Sequence, residues 1–199
     1  MNLYSGSLTR EQFMFREMRT VARLYSEGLT EQEIIDKVFY DNLFQYPTER
    51  EIKGKCRVVL KRLGCIAHNS ELISILAEGA ISEAKQVALA AMMCQSRLLA
   101  EFMIEVIGEK YRSLDMTLTP KDINMFFDGL CEKDEAVAGW SSSTVKRIKS
   151  VLMNILRENG YLEEIGSETL CPVLISDEFE RALKDADLQH FLIAFNVLA

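Results

Sequence analysis

Arg50, Lys53, Arg57 and Lys61 recur every three or four residues, the spacing that gathers side chains onto one side of an α-helix. At about 100° per residue they fall within an arc of roughly 80°, while Ile52, Cys56, Val59, Leu60 and Leu63 gather on another side. Such a helix can rest one side in a core and offer the other to a polyanion. Arg50 and Lys53, near the helix start, are placed to reach guanine O6 and N7 if the helix enters a major groove, and Arg57, Lys61 and the adjoining Arg62 are placed to meet phosphates. The competing reading is a solvated face stitched by Glu49 to Lys53 and Glu51 to Lys55 pairs at i,i+4, each contributing only a few tenths of a kcal/mol.

A second set lies near the C-terminus. Lys146, Lys149 and Arg157 share a helical face with Ser143 and Ser150, and Arg147 lies beside it. Hydroxyls next to cations suit a phosphate backbone, although serines at a helix start also serve as ordinary caps. Trp140 has a ring that can stack on a base, but a single Trp ahead of an amphipathic helix reads better as a packing residue.

No comparable pattern points to catalysis. GxSxG, HExxH, P-loop and GxGxxG sequences are all missing, and neither His68 nor His190 sits in a recognisable motif. The five cysteines, at positions 56, 65, 94, 131 and 171, form no CxxC pair, and several lie in apolar stretches where a thiol behaves as a small hydrophobe. A reduced compartment fits them. Neither enzymatic activity, nor a metal, nor any other cofactor is expected.

The elements that must carry these residues are helical. The chain has 199 residues, 48% of them hydrophobic, enough for a real core, and only three prolines. Its net charge of -7 argues against a nucleic-acid partner, but the charge is segregated. Thr48 to Cys65 carries +4 and Trp140 to Glu158 carries +3, which leaves -14 for the remainder. Thr9 with Gln12, Thr30 with Glu33, and Thr48 with Glu51 have capping-box spacing and predict helices over residues 10–27, 31–40 and from 49 to a stop at Gly64. Three helices in quick succession ending on a basic one have the order of a helix-turn-helix unit.

Further on, Ser70 and Ser82 are placed to start helices, the second running through the most apolar stretch to about Ile107. Arg97, Glu101 and Glu105 interrupt that stretch, whereas a membrane span needs about 20 nearly uncharged residues, so it reads as a buried core helix and no membrane contact is expected. Pro120 opens another helix, Ser141 to Ser143 cap a further one that stops at Asn159-Gly160, and Ser176 caps a last one. Residues 161–165 and 170–175 read as short strands around a turn at 166–169, giving a winged-helix order of helix, helix, hairpin. The expected fold is therefore mainly α, a compact helical bundle with an N-terminal helix-turn-helix-like unit (1–66), a central apolar helical segment (67–118) and a C-terminal winged-helix-like unit with a short β-hairpin (119–199), all packed as one body. The N-terminal residues lack a secretory pattern, and a cytoplasmic location is expected.

Arg57-Val58-Val59-Leu60-Lys61-Arg62-Leu63, the apolar middle, and Trp140-Ser141-Ser142-Ser143-Thr144-Val145-Lys146-Arg147 leading to Leu156-Arg157-Glu158-Asn159-Gly160-Tyr161-Leu162 resemble the BrxA family of bacterial BREX phage-defence systems over nearly the full chain. The resemblance implies a cytoplasmic, helical, non-enzymatic subunit that binds double-stranded DNA and acts beside a methyltransferase and ATPase-type partners. It transfers no base-reading residues, so the candidate contacts Arg50, Lys53, Arg57, Lys61, Arg62, Ser143, Lys146, Arg147, Lys149 and Arg157 rest on helical phase. The function expected is a DNA-binding accessory component of a BREX system, with other BREX proteins as partners. An adaptor whose helical units contact protein is the alternative, and RNA binding is a weaker third.

Overall fold

The computed structural model describes residues 4–9, 12–164 and 166–197. Its α-helices are α1 Phe15–Ser26, α2 Glu31–Tyr40, α3 Glu49–Leu63, α4 Ser70–Glu78, α5 Ile81–Gln95 and α6 Arg97–Glu101. They continue as α7 Glu109–Arg112, α8 Pro120–Lys133, α9 Glu135–Ala138, α10 Ser142–Glu158 and α11 Asp177–Asp185. A π-helical segment, Phe102–Gly108, joins α6 to α7, and Gly6–Thr9 and Gln189–Phe195 are 3-10 turns. The protein is mainly helical, as its composition requires, and no sheet forms among the described residues.

Local signals account for many helix ends. Thr30 and Glu33 close a capping box at α2, as do Thr119 and Asp122 at α8, where Pro120 occupies the first turn. Thr48, Ser141 and Ser176 accept backbone N–H bonds at the starts of α3, α10 and α11. Gly28 and Gly160 end α1 and α10 at φ +83° and +79°, and each carries the paired Schellman bonds, Leu29 N–H to Leu24 O at 3.2 Å and Tyr161 N–H to Leu156 O at 2.9 Å.

Four expectations are corrected. The first helix begins at Phe15, not residue 10, because Met14 takes a left-handed φ of 54° and Thr9 donates its hydroxyl to Gly6 O at 2.9 Å; Arg10 and Glu11 of that expected start lie outside the described residues. Asn69, not Ser70, caps α4 with its side-chain oxygen on Leu72 N–H at 2.9 Å. The apolar helix expected from Ser82 to Ile107 is broken at Ser96, whose hydroxyl caps α6. The β-hairpin does not form as a ladder: the pairing found is an antiparallel bridge between Thr117 and Thr169, with Leu118 N–H to Glu168 O and Leu170 N–H to Met116 O at 2.6 and 2.9 Å. One bond, Cys171 N–H to Tyr161 O at 2.9 Å, joins the two segments predicted as strands, and Ile165 lies outside the described residues.

The chain divides into two compact units. One holds Phe13–Gln95 and Ile175–Gln189, hence α1 to α5 and α11. Its centre is α5, in which Ala84 and every residue from Gln86 to Met93 are buried, the pattern of a helix enclosed on all sides. Arg19, from α1, donates from Nε to Ala77 O at 3.1 Å and from Nη2 to Gly79 O at 2.9 Å, placing a cation on the carbonyl-rich end of α4. α4 and α5, which the sequence placed in a central segment, pack here with α1.

The other unit comprises the described residues of Met1–Gln12, Ser96–Leu174 and His190–Ala199. α8, α10 and the π-segment bury Phe102, Phe127, Leu130, Ile148, Leu152 and Ile155. Tyr111 donates its hydroxyl to Cys171 O at 2.6 Å and Tyr161 to Ala194 O at 2.9 Å, so two fully enclosed rings are each anchored by their polar tip. Burial holds the Tyr161 phenol well above the ordinary tyrosine range. Among the described residues no single helix is long and apolar enough to cross a membrane.

Candidate nucleic-acid interface

α3 is fixed to its unit by its apolar side. Ile52, Cys56, Val59, Leu60 and Leu63 are buried where α3 meets α1 and α2, as the phase of the sequence demands. Burial pushes the Cys56 thiol up to about 11, against the opposing pull of Arg57. With that side committed, Arg50, Lys53, Arg57 and Lys61 are all exposed. Among the described residues none of the four has a carboxylate within 4.0 Å.

Lys53 does not pair with Glu49. Its ammonium stands 3.9 Å from the centroid of Phe39, and the Phe39 ring meets Tyr40 edge-on at 5.2 Å. Tyr40 is 79% exposed, an aromatic side chain held in solvent beside the cationic face. Sequence reasoning missed it, although a Phe-Tyr pair on the last turn of the helix before α3 was a readable signal. Gly54 lies within the cationic stripe, and a Cβ placed there would meet nothing within 4 Å. Glycine inside an exposed helix costs about 1 kcal/mol relative to alanine, so this position leaves bare backbone where a partner can come close.

Arg62 must be removed from the candidate contacts. It is 1% exposed, donating from Nη1 to Phe13 O at 3.0 Å and from Nε to Gln95 Oε1 at 3.2 Å. Its helical phase turns it inward next to Leu63, and a buried guanidinium is kept there by such hydrogen bonds.

The second set divides. Lys146 and Arg157 are exposed on α10, and among the described residues neither has a carboxylate within 4.0 Å. Ser143 is exposed, with its hydroxyl 2.8 Å from that of the capping Ser141. Arg147 is exposed but donates from Nε to Thr9 O at 3.1 Å, and Lys149 donates to Asn124 Oδ1 at 2.6 Å while lying 4.9 Å from the Phe127 centroid. Ser142, Lys146 and Lys149 border a cavity of about 470 Å³ between α8 and the first turns of α10, closed on its apolar side by Phe127 and Val145. Asp128 on the same rim offsets part of that positive charge.

The backbone around α10 runs from the bridged segment at Thr117 through α8, α9 and α10 and returns by residues 161–171 to the same bridge. Among the described residues no group of three or more His, Cys, Asp and Glu is arranged to hold a metal ion.

Comparison with known proteins gives a consistent result. The family model BrxA matches residues 2–187. A protein described as BREX protein BrxA from Bacillus cereus (strain H3081.97) is 33% identical over 195 residues, covering 96% of each chain. A protein of the same description from Escherichia coli O9:H4 (strain HS) is 24% identical, covering 90% of this chain and 83% of its own. The crystal structure of an uncharacterized protein from Magnetospirillum magneticum shares the fold, with a TM-score of 0.80 at 24% identity over 96% of this chain and 97% of that one.

Proposed function

We propose, from the premise that the chain belongs to the BrxA family of BREX phage-defence proteins, that it is a non-enzymatic component that binds double-stranded DNA, contacting phosphates through its basic helices. One observation carries this reading: the exposed face of α3 holds Arg50, Lys53, Arg57 and Lys61 without carboxylate partners among the described residues, in a chain with 30 Asp and Glu against 23 Lys and Arg. A face that serves only solubility mixes the two signs, whereas a phosphate-binding face excludes carboxylates. The order α1, α2, α3 supports a helix-turn-helix reading with α3 as the groove helix. The order of bridge, α8, α10 and return segment supports a winged-helix reading in which the wing has shrunk to single backbone bonds.

In this reading Arg57 and Lys61 hold phosphates, Arg50 and Lys53 lie nearest the bases, and Gly54 allows close approach. Lys146, Arg157, Ser143 and the cavity rim at Lys149 form a second phosphate contact. Other BREX proteins are its partners, and it acts in the cytoplasm. A protein-binding adaptor is the second reading, favoured by the tethering of Arg147 and Lys149 to Thr9 and Asn124, which limits their freedom to follow a phosphate.

The test is a fluorescence-anisotropy titration with labelled duplex DNA across a salt series, with an unrelated duplex and a duplex RNA competitor alongside. Binding that weakens linearly in log salt is expected, as is its loss in the Arg57→Glu, Lys61→Glu double variant with the fold intact. No binding at low salt would transfer the reading to the adaptor, and a folded double variant that binds normally would remove α3 as the site.

A further inference from the structure

Of the five cysteines, Cys56 is buried and Cys131 and Cys171 belong to the unit that holds α10, but Cys65 and Cys94 meet inside the other unit. Cys65 stands in the turn just past the end of α3, and Cys94 in the last turn of α5. Their thiols are hydrogen-bonded to each other, and Cys65 Sγ also donates to Lys61 O at 3.9 Å. Both are free thiols and both are partly exposed. A neighbouring bond holds the two segments in register: Arg62, one turn before Cys65, donates from Nε to Oε1 of Gln95, the residue after Cys94, at 3.2 Å.

Two features separate this pair from thiols that merely fill a core. Packing thiols are enclosed among apolar side chains, as Cys56 is at 1% exposure, whereas these two reach the surface, where a small oxidant can arrive. The two also differ in readiness. Burial first, and then the charge and hydrogen bond of Cys65, push the Cys94 thiol up to about 12, which leaves Cys65 as the sulfur placed to attack first. Once oxidised, the Cys65 sulfur no longer carries the negative charge that opposes ionisation of Cys94, so the first step prepares the second.

We infer that Cys65 and Cys94 form a reversible modification site, a dithiol that a peroxide converts to a disulfide fastening the turn after α3 to the last turn of α5. The Cys65 thiolate attacks one peroxide oxygen: the S–O bond forms, the O–O bond breaks, and the second oxygen takes up the thiol's proton and leaves as water, giving a sulfenic acid at Cys65. The Cys94 sulfur then attacks the Cys65 sulfur: the S–S bond forms, the S–O bond breaks, and a second water leaves with the Cys94 proton. Two thiols are oxidised and one peroxide is reduced to two waters. Cys94 has to reach only its hydrogen-bonded neighbour, so its own slowness toward reagents in solution does not block the step. In a reducing compartment such a pair rests as thiols and the disulfide is transient. The link closes a loop of about 30 residues that contains α4 and most of α5, so the oxidised protein is the more stable form. This inference does not depend on the DNA reading.

The experiment treats the full chain with hydrogen peroxide under native conditions, then alkylates the remaining thiols and maps the peptides by mass spectrometry without reductant. The expected product is a pair of peptides from one chain linked through Cys65 and Cys94, lighter by two hydrogens than the free pair and separated again by dithiothreitol. A melt without reductant is expected to shift up by about 5–10 °C on oxidation. Cys65→Ser and Cys94→Ser variants are each expected to lose the link and the shift, while Cys131→Ser keeps both. The inference is overturned if Cys65 and Cys94 remain thiols while exposed Cys131 is oxidised, if Cys65 passes on to sulfinic acid with Cys94 still a thiol, if the link joins two copies of the chain, or if the link forms and fails to raise the melting temperature. No DNA enters the assay, so its failure leaves the DNA reading untouched.

Discussion

Arg57→Ala with Lys61→Ala removes two of the four cations on the exposed face of α3 and leaves its buried side untouched. Each phosphate neutralised on duplex DNA contributes about 0.9 to the slope of log affinity against log salt. If each of the four cations meets one phosphate, α3 supplies a slope of about 3.6, so raising salt from about 50 to about 200 mM weakens binding roughly 150-fold through this helix alone. The double variant keeps about half that slope, about 1.8, and its loss over the same interval falls to roughly twelvefold. Alanine is the strongest helix former and these side chains lack carboxylate partners among the described residues, so the melting temperature should hold or rise slightly. Anisotropy titrations at several salt concentrations, with a thermal melt of each protein, measure both quantities. A variant with normal affinity and an unchanged slope refutes phosphate contact by α3; weaker binding with an unchanged slope refutes the ionic argument and points to a non-electrostatic role.

Gly54→Ala should stabilise the protein by about 1 kcal/mol, raising the melting temperature about 2–4 °C, while weakening DNA binding if the backbone is approached closely; a gain in both disposes of the close approach. Arg62→Ala should do the reverse, destabilising by roughly 2–4 kcal/mol because the buried Phe13 O and the half-buried Gln95 Oε1 lose their donor, with no change in the salt slope of the protein that remains folded. Under native conditions a thiol reagent should label exposed Cys131 first, while Cys56 and Cys94, whose thiols burial pushes up to about 11 and about 12, react only on unfolding; mass spectrometry of the labelled peptides decides it. The Lys110 cluster predicts a stability plateau between acid and alkali. Lys110 holds Asp115 below the ordinary carboxylate range, and at Asp122 burial is outweighed by bonds from Thr119 and Lys110, so their contribution is present above the unfolded value of about 3.9 and lost as pH falls through the lower folded ones. At Lys110 burial is outweighed by the two carboxylates and the folded value is raised, so that contribution is present below about 10.4 and lost as pH rises through the folded value. Melting temperatures across pH should show both shoulders, and Lys110→Met should flatten them.

The cationic face of α3 was legible because it depends on phase alone. Once Ile52, Cys56, Val59, Leu60 and Leu63 claim the core, the positions opposite them are exposed wherever the helix packs. Arg62 was misjudged because its charge suggested a surface position, although its phase lies on the inward side, where Phe13 O accepts from it across 49 positions. Arg147 and Lys149 were placed on the correct helix, yet their partners Thr9 and Asn124 lie 138 and 25 positions distant, beyond what spacing can show.

By itself the sequence determined the helical class, most of the caps, the two Schellman stops and the opposition of basic and apolar faces, all set by interactions within four or five residues along one chain segment. Only the tertiary structure decided that Thr169 bridges to Thr117 instead of building a hairpin ladder, that Arg62 turns into the core, and which cations remain free of a carboxylate among the described residues. Those outcomes rest on backbone and side-chain groups that meet across tens of residues, where the burial of each polar atom is settled by the partner it finds and not by its neighbours in sequence.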